Sequence, residues 1–170
     1  MKPIEFVSKF YSFALATEKK LGISAIAILA QAALESGWGK FAPGFMFFGV
    51  KDSDGLNGNE QLIVTIEYSK RNNLKFPEII DIKPVILNGV KFFKYTVKDY
   101  FRKYNSPEEC FSDHARFFLK NANYKKALAV KSDTYQFIEE IAKAGYATAP
   151  NYATELKAVA RTIEKLISKI

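Results

Sequence analysis

Between Ile23 and Leu34 the chain is apolar at every position except Ser24 and Gln31. Alanine, leucine and isoleucine in such a run favour a helix, and Ser24 sits where an N-cap hydroxyl belongs. That helix has almost no polar face. A helix of this kind is normally buried in the middle of a domain, so the other segments must wrap around it. The run is too short to span a bilayer and carries polar interruptions, so no membrane insertion is expected. The 170 residues suffice for one domain with a sizeable core. With 48% hydrophobic and 25% charged residues, the balance is that of an ordinary soluble globular protein.

Apolar positions at helical spacing (Phe6, Val7, Phe10, Tyr11, Phe13, Ala14) predict a first helix over residues 4–20, broken at Gly22. The apolar helix follows from Ser24 to Glu35 and stops at Ser36-Gly37-Trp38-Gly39. From Lys40 to Tyr104 the pattern changes: Pro43, Gly44, Gly49, Gly55 and Gly58 mark loops. The β-branched segment 61–68 reads as a strand. Segments 84–87 and 90–97 flank Asn88-Gly89, a strong two-residue hairpin signal. Helices return at Ser106-Pro107-Glu108-Glu109, read as a capping box with proline at the first helical position. A short helix is expected near 124–130, another from Asp133 to Gly145, and a last one from Asn151 with Leu156, Val159, Ile163, Leu166 and Ile167 on one stripe. The expected architecture is a single α+β domain over residues 1–170. It has a helical lobe of about 1–40 and 105–170, and a small antiparallel β lobe of about 45–104 inserted into it, with a cleft between the two.

The net charge of +7 favours polyanionic partners such as nucleic acid, anionic lipid or the acidic polymers of a cell wall. The lysines are scattered, with no long run of like charge, which argues against a nucleic-acid arm. Cys110 is the single cysteine, so no intrachain disulfide forms, and His114 is the single histidine. The two lie four apart on a predicted helix and could touch. They read as a half-buried thiol and a helix-surface imidazole rather than as a dyad. One histidine and one cysteine leave no zinc set, and no phosphate loop or dinucleotide fingerprint occurs, so neither metal nor cofactor is expected. The start, Met1-Lys2-Pro3-Ile4-Glu5, lacks the apolar core of a signal peptide.

Glu35 closes the apolar helix, and that placement is the strongest chemical signal. A carboxylate there loses hydration, and it sits at the negative end of the helix dipole. Both effects favour its protonated form, which is what a general acid needs. The plainer alternative is that Glu35 caps the turn or pairs with Lys40. Gly37 and Gly39 allow a sharp turn and close approach to a ligand. Trp38 either stacks on a sugar ring or packs under the turn.

The segment Ala30-Gln31-Ala32-Ala33-Leu34-Glu35-Ser36-Gly37-Trp38-Gly39 resembles the signature of glycoside hydrolase family 73. Four further pieces resemble family motifs in order: Phe47-Phe48-Gly49-Val50-Lys51, Val64-Thr65-Ile66-Glu67-Tyr68, Phe101-Arg102-Lys103-Tyr104-Asn105-Ser106, and Ala144-Gly145-Tyr146-Ala147-Thr148 followed by Pro150-Asn151-Tyr152-Ala153. The resemblance implies a mostly helical, lysozyme-like fold. It also implies endo-β-N-acetylglucosaminidase activity on the glycan strands of bacterial peptidoglycan. The chain is expected to act at the cell wall, in the periplasm or outside the cell, as a monomer. Carried over by position, Glu35 is the acid, Glu67 the second carboxylate and Tyr146 the active-site phenol. Three departures stand out. Phe45-Met46 replaces an Asn-Asn pair, the span 72–98 is longer than usual, and Ala149 stands where the family prefers aspartate.

Glycoside hydrolysis commonly uses two carboxyl groups flanking the scissile bond. On a strand, Thr65 and Glu67 share a face while Ile66 and Tyr68 point away. Glu67 is either that second carboxylate or one exposed strand glutamate, with Asp52, Asp54 and Glu60 as loop competitors. Phe47, Phe48 and Tyr152 are candidate sugar platforms, each of a type more often found in a core. Two other functions fit the same residues: a lytic transglycosylase of similar fold, and a non-catalytic wall-binding module.

Overall fold

The computed structural model describes all residues from Met1 to Ile170. The chain divides into two compact units, one made of Met1–Phe48 with Tyr104–Ile170 and one of Gly49–Lys103.

The first unit is helical. Helix α1 (Pro3–Leu21) starts with proline at its first turn and ends at Gly22, whose φ of 75° closes the last turn onto the Glu18 carbonyl. Helix α2 (Ala25–Ser36) is the apolar run, and the Ser24 hydroxyl accepts the Ala27 N–H at its start. As its composition requires, α2 lies at the centre, packed against α1, α5 and α6, with Ala27 through Ala33 all buried. Helix α3 (Pro107–Lys120) is capped by Ser106, which accepts the Glu109 N–H. The reciprocal bond of a capping box does not form: the Glu109 carboxylate accepts from the N–H of Asn105, one residue before the cap. Short α4 (Lys125–Ala129) leads to α5 (Thr134–Lys143), whose first turn is held by the Asp133 carboxylate accepting the N–H groups of Tyr135 and Gln136. Gly145, at φ 81°, then turns the chain so that the Tyr146 N–H bonds back to Ile141. Helix α6 (Tyr152–Ile167) completes the unit.

Phe47 was expected in the β lobe and as a sugar platform; it belongs instead to this helical core. It is 2% exposed, and its ring meets Phe10 at 5.0 Å, Phe111 at 5.3 Å and Phe6 at 6.0 Å between centroids. Interlocked rings leave no space for neighbours to collapse into once one is removed. Phe47→Ala is therefore expected to destabilise the unit by about 3–5 kcal/mol, read as a fall in the denaturant midpoint.

The second unit holds three antiparallel strands in the order β1-β3-β2: β1 (Glu60–Ser69), β2 (Glu78–Leu87) and β3 (Val90–Arg102). Asn88 and Gly89 both take positive φ, 49° and 77°, as the tight hairpin turn between β2 and β3 demands. Strand β2 begins six residues before the predicted segment at Pro84, because a register shift between Ile79 and Asp81 breaks the alternation that would have revealed it. Proline is tolerated within β2 because it is an edge strand. Along β1, Leu62, Val64, Ile66 and Tyr68 are exposed, while Ile63, Thr65 and Glu67 occupy the more covered face. Tyr95, Val97 and Phe101 of β3 are the buried residues of this unit.

Candidate active site

Helix α2 ends in a left-handed turn. Gly37, at φ 58°, caps it with its N–H on the Ala33 carbonyl, and Trp38 and Gly39 continue at φ 57° and 76°. A Cβ at Gly39 would stand 3.2 Å from the Phe6 ring, so glycine is favoured for both conformation and space. Trp38, half-buried, packs edge-on against Phe6, with centroids 5.7 Å apart, as the packing alternative expects.

This turn presents Glu35 at the end of α2. Its partners are two phenols rather than Lys40, whose ammonium lies over the Phe41 ring. The Tyr146 hydroxyl donates to Glu35 Oε1 at 2.9 Å, and the Tyr152 phenol, beside Tyr146 at 5.6 Å between ring centroids, is near enough to pull the same carboxyl down in pKa. Burial raises the Glu35 pKa above its ordinary 4.5 and outweighs the two phenolic hydrogen bonds, which pull it down. The sequence suggested a dry niche. Glu35 is instead open to solvent on one side, and the crowding comes from its protein side. No cation is paired with it, so nothing locks it in the ionised state. Burial and the nearby Glu35 charge raise the pKa of both tyrosines, so both remain protonated donors. Tyr152 is 7% exposed, so its ring face is covered and it is no sugar platform.

Behind Tyr152 lies a pair that the sequence reading did not select. Gln31 is fully buried one helical turn before Glu35 and donates from Nε2 to the Tyr152 hydroxyl at 3.0 Å. His114 Nε2 lies 3.1 Å from Gln31 Oε1. His114 was expected on the helix surface, yet it is 5% exposed, because Phe48 stacks on it at 3.6 Å and Phe118 meets it edge-on at 4.9 Å. Phe48 is thereby a wall for the imidazole. Cys110 is buried too, and burial pushes its thiol up to about 12, so it is no nucleophile. One signal for this cluster was available in the sequence: Gln31 is the sole polar residue in the interior of an apolar helix, four positions before the acid.

In the strand unit, Glu67 pairs across β3 with Tyr95, and Thr65 with Val97. The Lys51 ammonium bridges Glu67 at 2.7 Å and Asp99 at 2.9 Å. Partial burial lowers the Lys51 pKa, but the hydrogen bonds and charges of Glu67 and Asp99 prevail and hold it above the usual lysine value. The loop competitors are otherwise engaged: Asp52 and Asp54 face Arg102 at 3.7 and 3.6 Å, and Glu60 accepts the N–H groups of Asn57 and Gly58. No group of three or more His, Cys, Asp or Glu side chains is placed to hold a metal ion, and no helix is long and apolar enough to cross a membrane.

The family model described as mannosyl-glycoprotein endo-beta-N-acetylglucosaminidase matches residues 11–165. The chain belongs to the glucosaminidase family. Among relatives of this glucosaminidase, the peptidoglycan hydrolase FlgJ of Vibrio parahaemolyticus is 32% identical over 170 residues, covering 96% of this chain and 48% of that protein. FlgJ of Pseudomonas aeruginosa is 29% identical over 167 residues, covering 94% and 36%. The glucosaminidase thus spans about half, or less, of the length of these relatives. The glycoside hydrolase domain of Salmonella typhimurium FlgJ superposes with a TM-score of 0.75 at 28% identity, covering 99% of this chain and 92% of that domain. The fold expected from the motifs, a mostly helical lysozyme-like domain with a small antiparallel sheet, is the one found.

Proposed function

We propose that this glucosaminidase hydrolyses the β-1,4 glycosidic bond that follows N-acetylglucosamine in peptidoglycan, with Glu35 as the proton donor. The observation carrying this reading is the Glu35 carboxyl: raised in pKa, unpaired with any cation, and held by Tyr146 at a helix end that is open to solvent. Protonated Glu35 gives its hydrogen to the glycosidic oxygen as the bond to the anomeric carbon breaks. Positive charge grows on the sugar ring, water adds to the anomeric carbon, and the surplus proton passes to a base. Glu67 is the candidate base or counter-charge, supported by its place on the more covered face of β1 beside Thr65. Tyr146 keeps the carboxyl aimed. The names of the FlgJ relatives support peptidoglycan as substrate, and a peptidoglycan substrate supports work at the cell wall. The net charge of +7 suits a wall carrying acidic peptides and polymers.

Mass spectrometry of digested, purified peptidoglycan tests this. Hydrolysis at the proposed bond yields fragments ending in a reducing N-acetylglucosamine. A 1,6-anhydro end would instead mark a transglycosylase. Tight binding without released fragments would mark a recognition module.

A further inference from the structure

Gln31 is fully buried in the middle of α2, and its amide has one donor end and one acceptor end. Which end meets Tyr152 depends on what meets the other end. An imidazole that carries its proton on Nε2 can only donate there, and so requires Gln31 Oε1 as its partner. The amide N–H then points at the Tyr152 oxygen, as observed at 3.0 Å. With its oxygen already accepting, the Tyr152 hydroxyl is free to turn its hydrogen toward Glu35, which lies close by: Tyr146, 5.6 Å from Tyr152 between ring centroids, bonds that carboxylate at 2.9 Å. With the proton on Nδ1 the whole chain reverses. Gln31 would donate to His114, its carbonyl would draw the phenolic hydrogen, and Glu35 would lose a donor.

We propose that His114 is a positioning residue for the acid: holding its proton on Nε2, it fixes the Gln31 amide and through it directs the Tyr152 hydroxyl onto Glu35. This rests on Glu35 as the proton donor. The geometry suits the task. The imidazole is stacked on Phe48 at 3.6 Å with an interplanar angle of 9°, and Phe118 closes its edge. Tyr146 stands 5.9 Å from it at 82°, so it borders both the histidine and the carboxylate. The groups packed around the ring, Phe48, Phe117, Phe118, Tyr146 and Gln31, carry no charge. Around Glu35 the titratable neighbours are Tyr146 and Tyr152, with Tyr124 the next phenol beyond them. Burial holds His114 near 3, so its proton inventory does not change across the range in which a hydrolase works. It therefore serves as a fixed orienter, and a second proton source would have to be sought elsewhere.

The test is a nuclear magnetic resonance titration of protein labelled with ¹³C at the glutamate carboxyls, the Glu35 resonance being identified by its loss in Glu35→Gln. His114→Phe keeps a ring in the slot but removes the donor, and should raise the Glu35 pKa by about one pH unit. Tyr152→Phe should raise it by the same amount. The double variant should shift no further than either single one, because both cut one chain of bonds. His114→Gln, which restores an N–H donor, should return part of the shift. Additive shifts, or an unmoved Glu35 in His114→Phe, would overturn the proposal. Should His114→Phe fail to fold, ¹⁵N shifts of the wild-type imidazole decide alone: an Nδ1–H tautomer refutes it and an Nε2–H tautomer supports it. If Glu35→Gln still cleaves glycan while the titration behaves as expected, the functional reading falls and the hydrogen-bond chain stands. An inactive Glu35→Gln with no His114 effect gives the converse.

Discussion

Glutamine in place of Glu35 is expected to slow glycan cleavage by about 10³-fold, the scale of a lost general acid, while the protein stays folded. The amide keeps the shape of the protonated carboxyl and can still accept from Tyr146, but it has no proton to release. Stability should move the other way. The folded-state pKa of Glu35 lies above 4.5, so folding favours the protonated form. Its contribution is complete at pH below the unfolded value and declines as pH rises through the folded one. Glutamine mimics the protonated state at every pH, so the variant should melt slightly above the wild type at pH 7, and the gap should close at pH 4. Turbidity loss of purified walls reads the first effect, and thermal melts at the two pH values read the second. A variant retaining a tenth or more of the wild-type rate removes Glu35 as proton donor.

Glu67→Gln is expected to reduce the same rate by about 10²-fold. Lys51 retains Asp99 as a partner at 2.9 Å, and ion pairs this exposed contribute little to stability. The loss should therefore appear in turnover and not in the melting curve. Near-normal turnover would take Glu67 out of the chemistry and return it to the role of an ion-pair partner within the strand unit.

The helices were legible in the sequence because their signals are local: the apolar periodicity of α1, the Ser24 and Asp133 caps and the glycine stops each act within a turn or two. The position of Glu35 was legible for the same reason, since a lone carboxylate ending an apolar run breaks a pattern. What escaped depends on partners far apart in the chain. His114 looked like a surface residue because helix periodicity cannot say that Phe48 will cover it. Phe47 and Tyr152 looked like platforms, since an aromatic ring in a loop or at a helix start carries no mark of whether it turns in or out. Gln31 was visible as an interruption, but its meaning required two partners, 83 and 121 positions away. The early part of β2 was hidden by its bulge, which shifts the alternation on which strand recognition relies.

The strand unit enters as one uninterrupted insert, Gly49–Lys103, and every residue of the large core cluster lies outside it. So do Glu35, Gln31, His114, Tyr146 and Tyr152, whereas Glu67 lies inside. The proposed acid and the groups hydrogen-bonded around it therefore belong to one unit, and the proposed second carboxylate belongs to the other. Replacing the insert between its two ends would thus leave the proposed proton donor, its phenols and the Gln31–His114 pair with every covalent neighbour they have now.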